Sequence, residues 1–187
     1  MSWRKVPIAV IGGAKKQEGT NEEDWRAALK TARQLGKVLA IRGHYVICGG
    51  RTGVMEAVCR GCAEEGGTSI GVLPDLNLDQ ANKYCTMVIP TVLGNHTAHP
   101  DRNRNSVIVA GALCVFAIDG GNGVINELEL ARGNSRRVFG LHNPGNGWNP
   151  GGIWQQDGSD FTLHATLGEA LHQCGIYIRQ KHPELVW

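Results

Sequence analysis

"LCVFAIDGGNGVINELELA", residues 113–131, runs from an apolar stretch through three glycines into a segment of helical character. Residues 113–119 show no polar alternation, the pattern of a strand covered on both faces. Gly120, Gly121 and Gly123 then break the run, and a helix follows from about Val124 to Gly133. A strand that passes through glycine directly into a helix is half of a β-α-β unit, so the fold turns on whether its neighbours repeat the pattern.

They do. "PIAVIGG" (7–13) is an apolar run stopped by glycine, and 21–43 carries Trp25, Ala28, Leu29, Ala32, Leu35 and Leu39 at helical spacing. Asn21 suits the cap of that helix and Gly43 its stop. A strand at 44–50, a helix from about Gly53 to Glu65 and a strand at 68–74 ending in Pro74 follow. "TMVIPT" (86–91) is a shorter apolar run interrupted by Pro90. A helix over 102–112 leads into the opening strand, and a further strand is expected at 136–142. Residues 143–160 are turn formers and read as a surface loop, and 165–180 as a closing helix capped by Thr166. Strand and helix alternate without internal repeat or linker. The expectation is therefore one α/β domain over 1–187, a doubly wound, Rossmann-like parallel sheet.

Composition narrows the classes. A length of 187 residues supports one real core, and 42% hydrophobic with 19% charged residues is ordinary for a soluble domain. A net charge of +2 with no basic run argues against nucleic acid as a partner. No apolar stretch reaches the ~20 residues of a membrane span, and the first residues are not built like a secretory signal, so a cytoplasmic location is expected. Six cysteines do not imply a disulfide framework in a domain of this size, and Cys59 and Cys62, a lone CxxC inside a helix, read as packing.

In a parallel sheet all the strand-to-helix turns gather on one edge, where such folds bind ligands. Three of those turns are glycine-rich: Gly12–Gly13, the "CGGRTG" of 48–53 with Gly49, Gly50, Arg51 and Gly53, and the "DGGNG" of 119–123. Glycine lets backbone N–H groups approach a ligand, and the following helix adds unpaired N–H groups and a positive dipole end. Phosphate is the natural guest. The spacing is neither G-x-G-x-x-G nor G-x-x-x-x-G-K-[ST], which disfavours an ordinary NAD or ATP site.

The segments "VIGG", "CGGRTGVMEAVCRGCAEEGGTSIGVLP" and "RNRNSVIVAGALCVFAIDGGNGVINELELA", in that order, resemble the Lonely Guy-like proteins, long mislabelled lysine decarboxylases. The likeness spans about 7–141 and is greatest to the subgroup containing the molybdenum cofactor carrier proteins. Enzymes of the family carry P-G-G-x-G-T-x-x-E with an arginine sixteen residues before its first glycine; here "DGGNGVINE" supplies Gly120, Gly121, Gly123 and Glu127, and Arg104 stands at the arginine position. The resemblance implies a nucleotide-fold homo-oligomer, dimer or tetramer, that binds a phosphorylated nucleotide- or pterin-like molecule. It requires no cofactor for chemistry, and the molybdenum cofactor is a candidate ligand. Gly12, Gly13, Gly49, Gly50, Arg51, Gly53, Gly120, Gly121, Asn122, Gly123 and Val124 would hold the phosphate.

The family's enzymes are phosphoribohydrolases acting on nucleoside 5′-monophosphates. In that chemistry a carboxylate, here Glu127, steadies the oxocarbenium-like sugar and orients water, while Arg104 holds the substrate. Three departures weigh toward a carrier that does not hydrolyse. Val124 replaces a threonine, Asp119 a proline, and Asn105 a lysine. A ligand-sensing module is a third class, with no partner identified. His96, His99 and Asp101 are too weak a set for a metal site, so no metal is assigned and the histidines suit a ligand-lining loop as well. Trp148 and Trp154 lie in the 143–160 loop, an insertion on the family pattern, as a lid, a subunit contact or packing.

Overall fold

Ile8 and Val10 belong to one buried cluster and Ala9 and Ile11 to another, and all four are closed to solvent. A strand whose two faces are both buried is the centre of a three-layer structure. The computed structural model describes residues 5–91, 100–120, 122–141, 161–185 and 187, the side chains of 100–102 and 122 excepted.

The strands are β1 (Pro7–Gly12), β2 (Tyr45–Cys48), β3 (Ser69–Leu73), β4 (Met87–Pro90), β5 (Val115–Ile118), β6 (Val138–Leu141) and β7 (Phe161–His164). The helices are α1 (Glu22–Ile41), α2 (Val54–Glu64), α3 (Pro100–Ala110), α4 (Asn122–Gly133) and α5 (Leu167–Lys181), with a 3₁₀ turn at Leu78–Gln80. The sheet has seven strands in the order β4-β3-β2-β1-β5-β6-β7, and every pairing is parallel. The doubly wound α/β fold expected from the alternation is therefore present. The cluster on one face takes in Ala32, Leu35, Val58, Cys174 and Phe116 from α1, α2, α5 and β5. The other takes in Ile108, Val109, Leu128 and Ala131 from α3 and α4.

Caps form where the sequence places them. Asn21 accepts the N–H of Asp24 at 2.8 Å, and Thr166 and Glu169 exchange bonds in a capping box. Gly43, at φ +75°, turns the chain after α1. Pro90 does not abolish β4, because β4 lies at the sheet edge, where a missing N–H costs no ladder bond. One strand was not expected: β7, four residues with Leu163 39% exposed, has no apolar run to announce it. The loop at 143–160, with Trp148 and Trp154, lies outside the described residues. All six cysteines are free, Cys59 and Cys62 are both closed to solvent inside α2, and burial pushes the Cys62 thiol up to about 11. Among the described residues no helix is long and apolar enough to cross a membrane.

Candidate functional site

The chain winds outward from β1 to β4 in one direction and from β5 to β7 in the other, so the order reverses between β1 and β5. Turns leaving neighbouring strands there diverge and open a crevice at their carboxyl ends. A cavity of about 260 Å³ occupies it. One wall is the first glycine turn, Gly12–Gly13, with Ala14, Lys15 and Gln17; the other is the start of α4, with Gly123, Val124 and Glu127. Arg51, Met55, Arg104 and Asn105 complete the lining.

Of the three glycine turns, the structure thus brings the first and third to the cavity, and from the second only Arg51. Gly49 is small for another reason. A Cβ there would stand 2.8 Å from Nη1 of Arg104. That nitrogen reaches across the strand ends to donate to the carbonyls of Gly49 at 2.7 Å and Val72 at 3.1 Å. Arg104 is only 7% exposed, so its guanidinium ties β2 and β3 together while lining the cavity. Gly50 packs on Gly71, and Gly53 packs on Gly13 and Ala14 and lines a separate groove between α1 and α2. Val54 N–H donates to Gly13 O at 3.0 Å, so the amino end of α2 is closed by the first turn.

The amino end of α4 is arranged differently. Asn122 begins the helix, Gly123 is exposed with nothing within 4 Å of a Cβ position, and both Gly123 and Val124 line the cavity. Gly121 lies outside the described residues, and so does the Asn122 side chain. First-turn N–H groups with space before them are an anion seat. Gly120 makes room for the methyls of Val124. Asp119, at φ +51° and 1% exposed, folds back so that Oδ1 accepts Gly120 N–H at 2.6 Å; its carboxylate is not part of the cavity lining.

Arg51 is held in place by a relay that the sequence does not reveal. Its Nη2 donates to Oε1 of Gln80 at 2.8 Å, and Gln80 Nε2 donates to both oxygens of Asp75 at 2.9 and 3.1 Å. The Asp75 carboxyl is held below its usual range by the Asn77 N–H first and then by Gln80. Among the described residues the lining therefore carries Lys15, Arg51 and Arg104 against the single carboxylate of Glu127, which is 8% exposed. That balance favours an anionic guest. Lys15, Gln17, Met55 and the Gln80–Asp75 support are additions to the sequence reading, and Asn105 moves from a mere departure to part of the wall. Lys15 and Gln17 follow the first glycine turn closely enough to have been sought there.

Among the described residues no group of three or more His, Cys, Asp or Glu is placed to hold a metal ion. His96 and His99 fall outside them, as does the side chain of Asp101.

The sequence model of the SLOG cluster4 family matches residues 5–171. A protein of Archaeoglobus fulgidus described as uncharacterized is 32% identical over 139 residues, which covers 74% of this chain and 82% of that protein. Among solved structures, the molybdenum cofactor binding protein from the phototrophic bacterium Rippkaea orientalis superposes with a TM-score of 0.78 at 26% identity, covering 95% of this chain and 99% of that one. The molybdenum cofactor carrier protein from Chlamydomonas reinhardtii gives 0.72 at 26% identity, covering 91% and 96%.

Proposed function

The chain belongs to the SLOG cluster4 family, and on that premise we propose that it is a binding protein for a phosphorylated nucleotide- or pterin-like molecule, acting as a carrier of the molybdenum cofactor type. The observation that carries this reading is the crevice at the β1/β5 switch point, where the open start of α4 faces Lys15, Arg51 and Arg104. In this reading Gly13, Asn122, Gly123 and Val124 present backbone N–H groups to the phosphate, while Gly12, Gly49, Gly50, Gly53 and Gly120 shape the turns behind them. The names of the Rippkaea and Chlamydomonas proteins support the cofactor as the cargo. We further take the chain to work as a homo-oligomer, which light scattering on the purified protein would test.

A second reading has its own observation. Arg104 and Glu127 line one cavity, as a phosphoribohydrolase would need. Against hydrolysis stands Val124, buried against the Gly120 turn, where a threonine hydroxyl would bind phosphate. The test is to incubate the protein with a panel of nucleoside 5′-monophosphates and measure free base, with Glu127→Ala and Arg104→Ala alongside. The carrier reading expects no base release, and tight binding of molybdopterin that survives Glu127→Ala. Base release that depends on Glu127 would overturn it in favour of the hydrolase.

A further inference from the structure

Cys48, Cys59 and Cys85 come from β2, α2 and the turn before β4, and their sulfurs meet. Sγ of Cys59 lies 3.6 Å from that of Cys48 and 3.8 Å from that of Cys85. Cys59 thus has thiol neighbours that the CxxC spacing of α2 does not announce. Cys48 is closed to solvent in an inner strand and its sulfur accepts the Gly50 N–H at 3.4 Å. Cys59 is equally closed, whereas Cys85 is only partly buried, on a segment between the 3₁₀ turn and β4. Of the three, Cys85 is the sulfur that an oxidant can approach and that can move.

Its movement is coupled to the crevice. The Cys85 N–H donates to Asn82 O at 3.1 Å and the Tyr84 N–H to Asn82 Oδ1 at 3.1 Å, so residues 82–85 move together. Asn82 grips the second glycine turn: its N–H donates to Gly50 O at 2.7 Å, and its Nδ2 to the carbonyls of Gly50 and Arg51, each at 2.9 Å. Two residues earlier, Gln80 holds the guanidinium of Arg51, which lines the crevice. A disulfide brings its sulfurs to about 2 Å, so a bond from Cys85 to Cys59 on α2 draws the 82–85 turn inward and shifts that grip. We propose that Cys59 and Cys85 are a redox pair that peroxide closes to a disulfide, and that the closed pair withdraws Arg51 from the crevice and weakens anion binding there. The second half rests on the phosphate-binding reading above; the first does not.

In the first step Cys85 Sγ attacks one peroxide oxygen, the O–O bond breaks, one water leaves and Cys85 becomes a sulfenic acid. Cys59 Sγ then attacks that sulfur, the S–O bond breaks and a second water leaves. Both thiol protons end in the two waters, and the two sulfurs supply the two electrons that reduce the peroxide. The Cys59 thiol is lowered, by Cys48 foremost and then by Cys85, which suits it to the closing attack. The Cys85 thiol is pushed up, by Cys59 foremost, so the pair answers sustained oxidant and not a brief pulse.

Mass spectrometry of the protein after prolonged hydrogen peroxide, digested without reductant, reads the bond directly. Trypsin cuts at Arg51, Arg60 and Lys83, which puts Cys48, Cys59, Cys62 and Cys85 on four separate peptides. A Cys59–Cys85 crosslink is expected, reversed by dithiothreitol, kept in Cys62→Ser and lost in Cys85→Ser. Calorimetry should then show inorganic phosphate binding about ten-fold more weakly to the oxidised protein, the loss of one charge-assisted contact, and at full strength again after reduction. Cys85→Ser should bind phosphate equally well with and without peroxide. In the oxidised protein the amide of Asn82 should also exchange faster with deuterium, because its acceptor has shifted. A protein that forms no Cys59–Cys85 crosslink overturns the proposal, as does one that forms it with the Asn82 amide unchanged. Unaltered phosphate affinity in the crosslinked protein overturns the link to the crevice. If inorganic phosphate does not bind even the reduced protein, the phosphate-binding reading has failed by itself, and the crosslink and the Asn82 amide still decide the redox pair.

Discussion

A methyl group at position 49 would stand 2.8 Å from Nη1 of Arg104 and equally close to Sδ of Met55. Met55 can swing away; Arg104, bonded to two carbonyls, cannot without breaking them. Gly49→Ala is therefore expected to cost about 1–3 kcal/mol, the range for overpacking a buried site. Arg104→Met leaves the carbonyls of Gly49 and Val72 without that donor and should cost a similar amount, about 1–3 kcal/mol. The two should not add: once Arg104 is gone, most of the penalty at position 49 disappears, which urea unfolding of the double variant will show. The spacing of Arg104 and Glu127 was legible in the sequence because motif residues keep a fixed distance along the chain. The hold of Gln80 and Asp75 on Arg51 was not, because those partners meet only once separate elements pack. Only proximity in space identifies them.

At the scale of elements, α1 and α2 meet backbone to backbone. A Cβ on Gly61 would fall on the carbonyl of Arg33, and one on Gly36 on the carbonyl of Val58. Helix propensity favours alanine over glycine by about 1 kcal/mol, but prising two helices apart costs about 1–3 kcal/mol, and contact with a backbone carbonyl sets this case toward the upper end. Gly61→Ala should thus destabilise. Gly168→Ala in α5, where the nearest atom to a Cβ is Thr166 Oγ1 at 3.8 Å, should be neutral or stabilising in the same urea titrations. The same helix pair carries an ion cluster. Glu64 accepts both Nε and Nη2 of Arg33, at 2.9 and 2.6 Å, and also meets Lys37 and Arg60. Arg33 foremost pulls its carboxyl down to about 2 from the usual 4.5. A lowered carboxyl stabilises the folded state above its unfolded value and loses that support as acid protonates it. Stability should therefore decline between about pH 4.5 and 2, less steeply in Glu64→Gln and less at high salt, as followed by circular dichroism. The buried strands were readable because burial on both faces leaves an unbroken apolar run. The edge strands were harder: β7 spreads its contacts over half-exposed, mixed residues, and the proline of β4 reads as a breaker until its edge position is known.

For the molecule as a whole, the proposed guest of the crevice would bind the folded state alone. At one hundred times its dissociation constant such a ligand adds about 2.7 kcal/mol, or roughly 5–10 °C in Tm for a chain of this size. Inorganic phosphate and AMP should both raise the melting temperature of the unaltered protein in a thermal-shift assay, and sodium chloride at equal ionic strength should not.

In the sheet, β1–β4 and β5–β7 are joined at a single place, the pairing of Ala9–Gly12 with Val115–Ile118. The molecule is a book with one spine, and Arg104, on α3, pins the ends of β2 and β3 together within one leaf. The crevice lies along that spine, with residues of both leaves in its walls. Whatever binds there also fastens the covers. Amide hydrogens of β1 and β5 should accordingly exchange with deuterium more slowly when the proposed guest is present, whereas replacing Arg104 should speed exchange at the ends of β2 and β3.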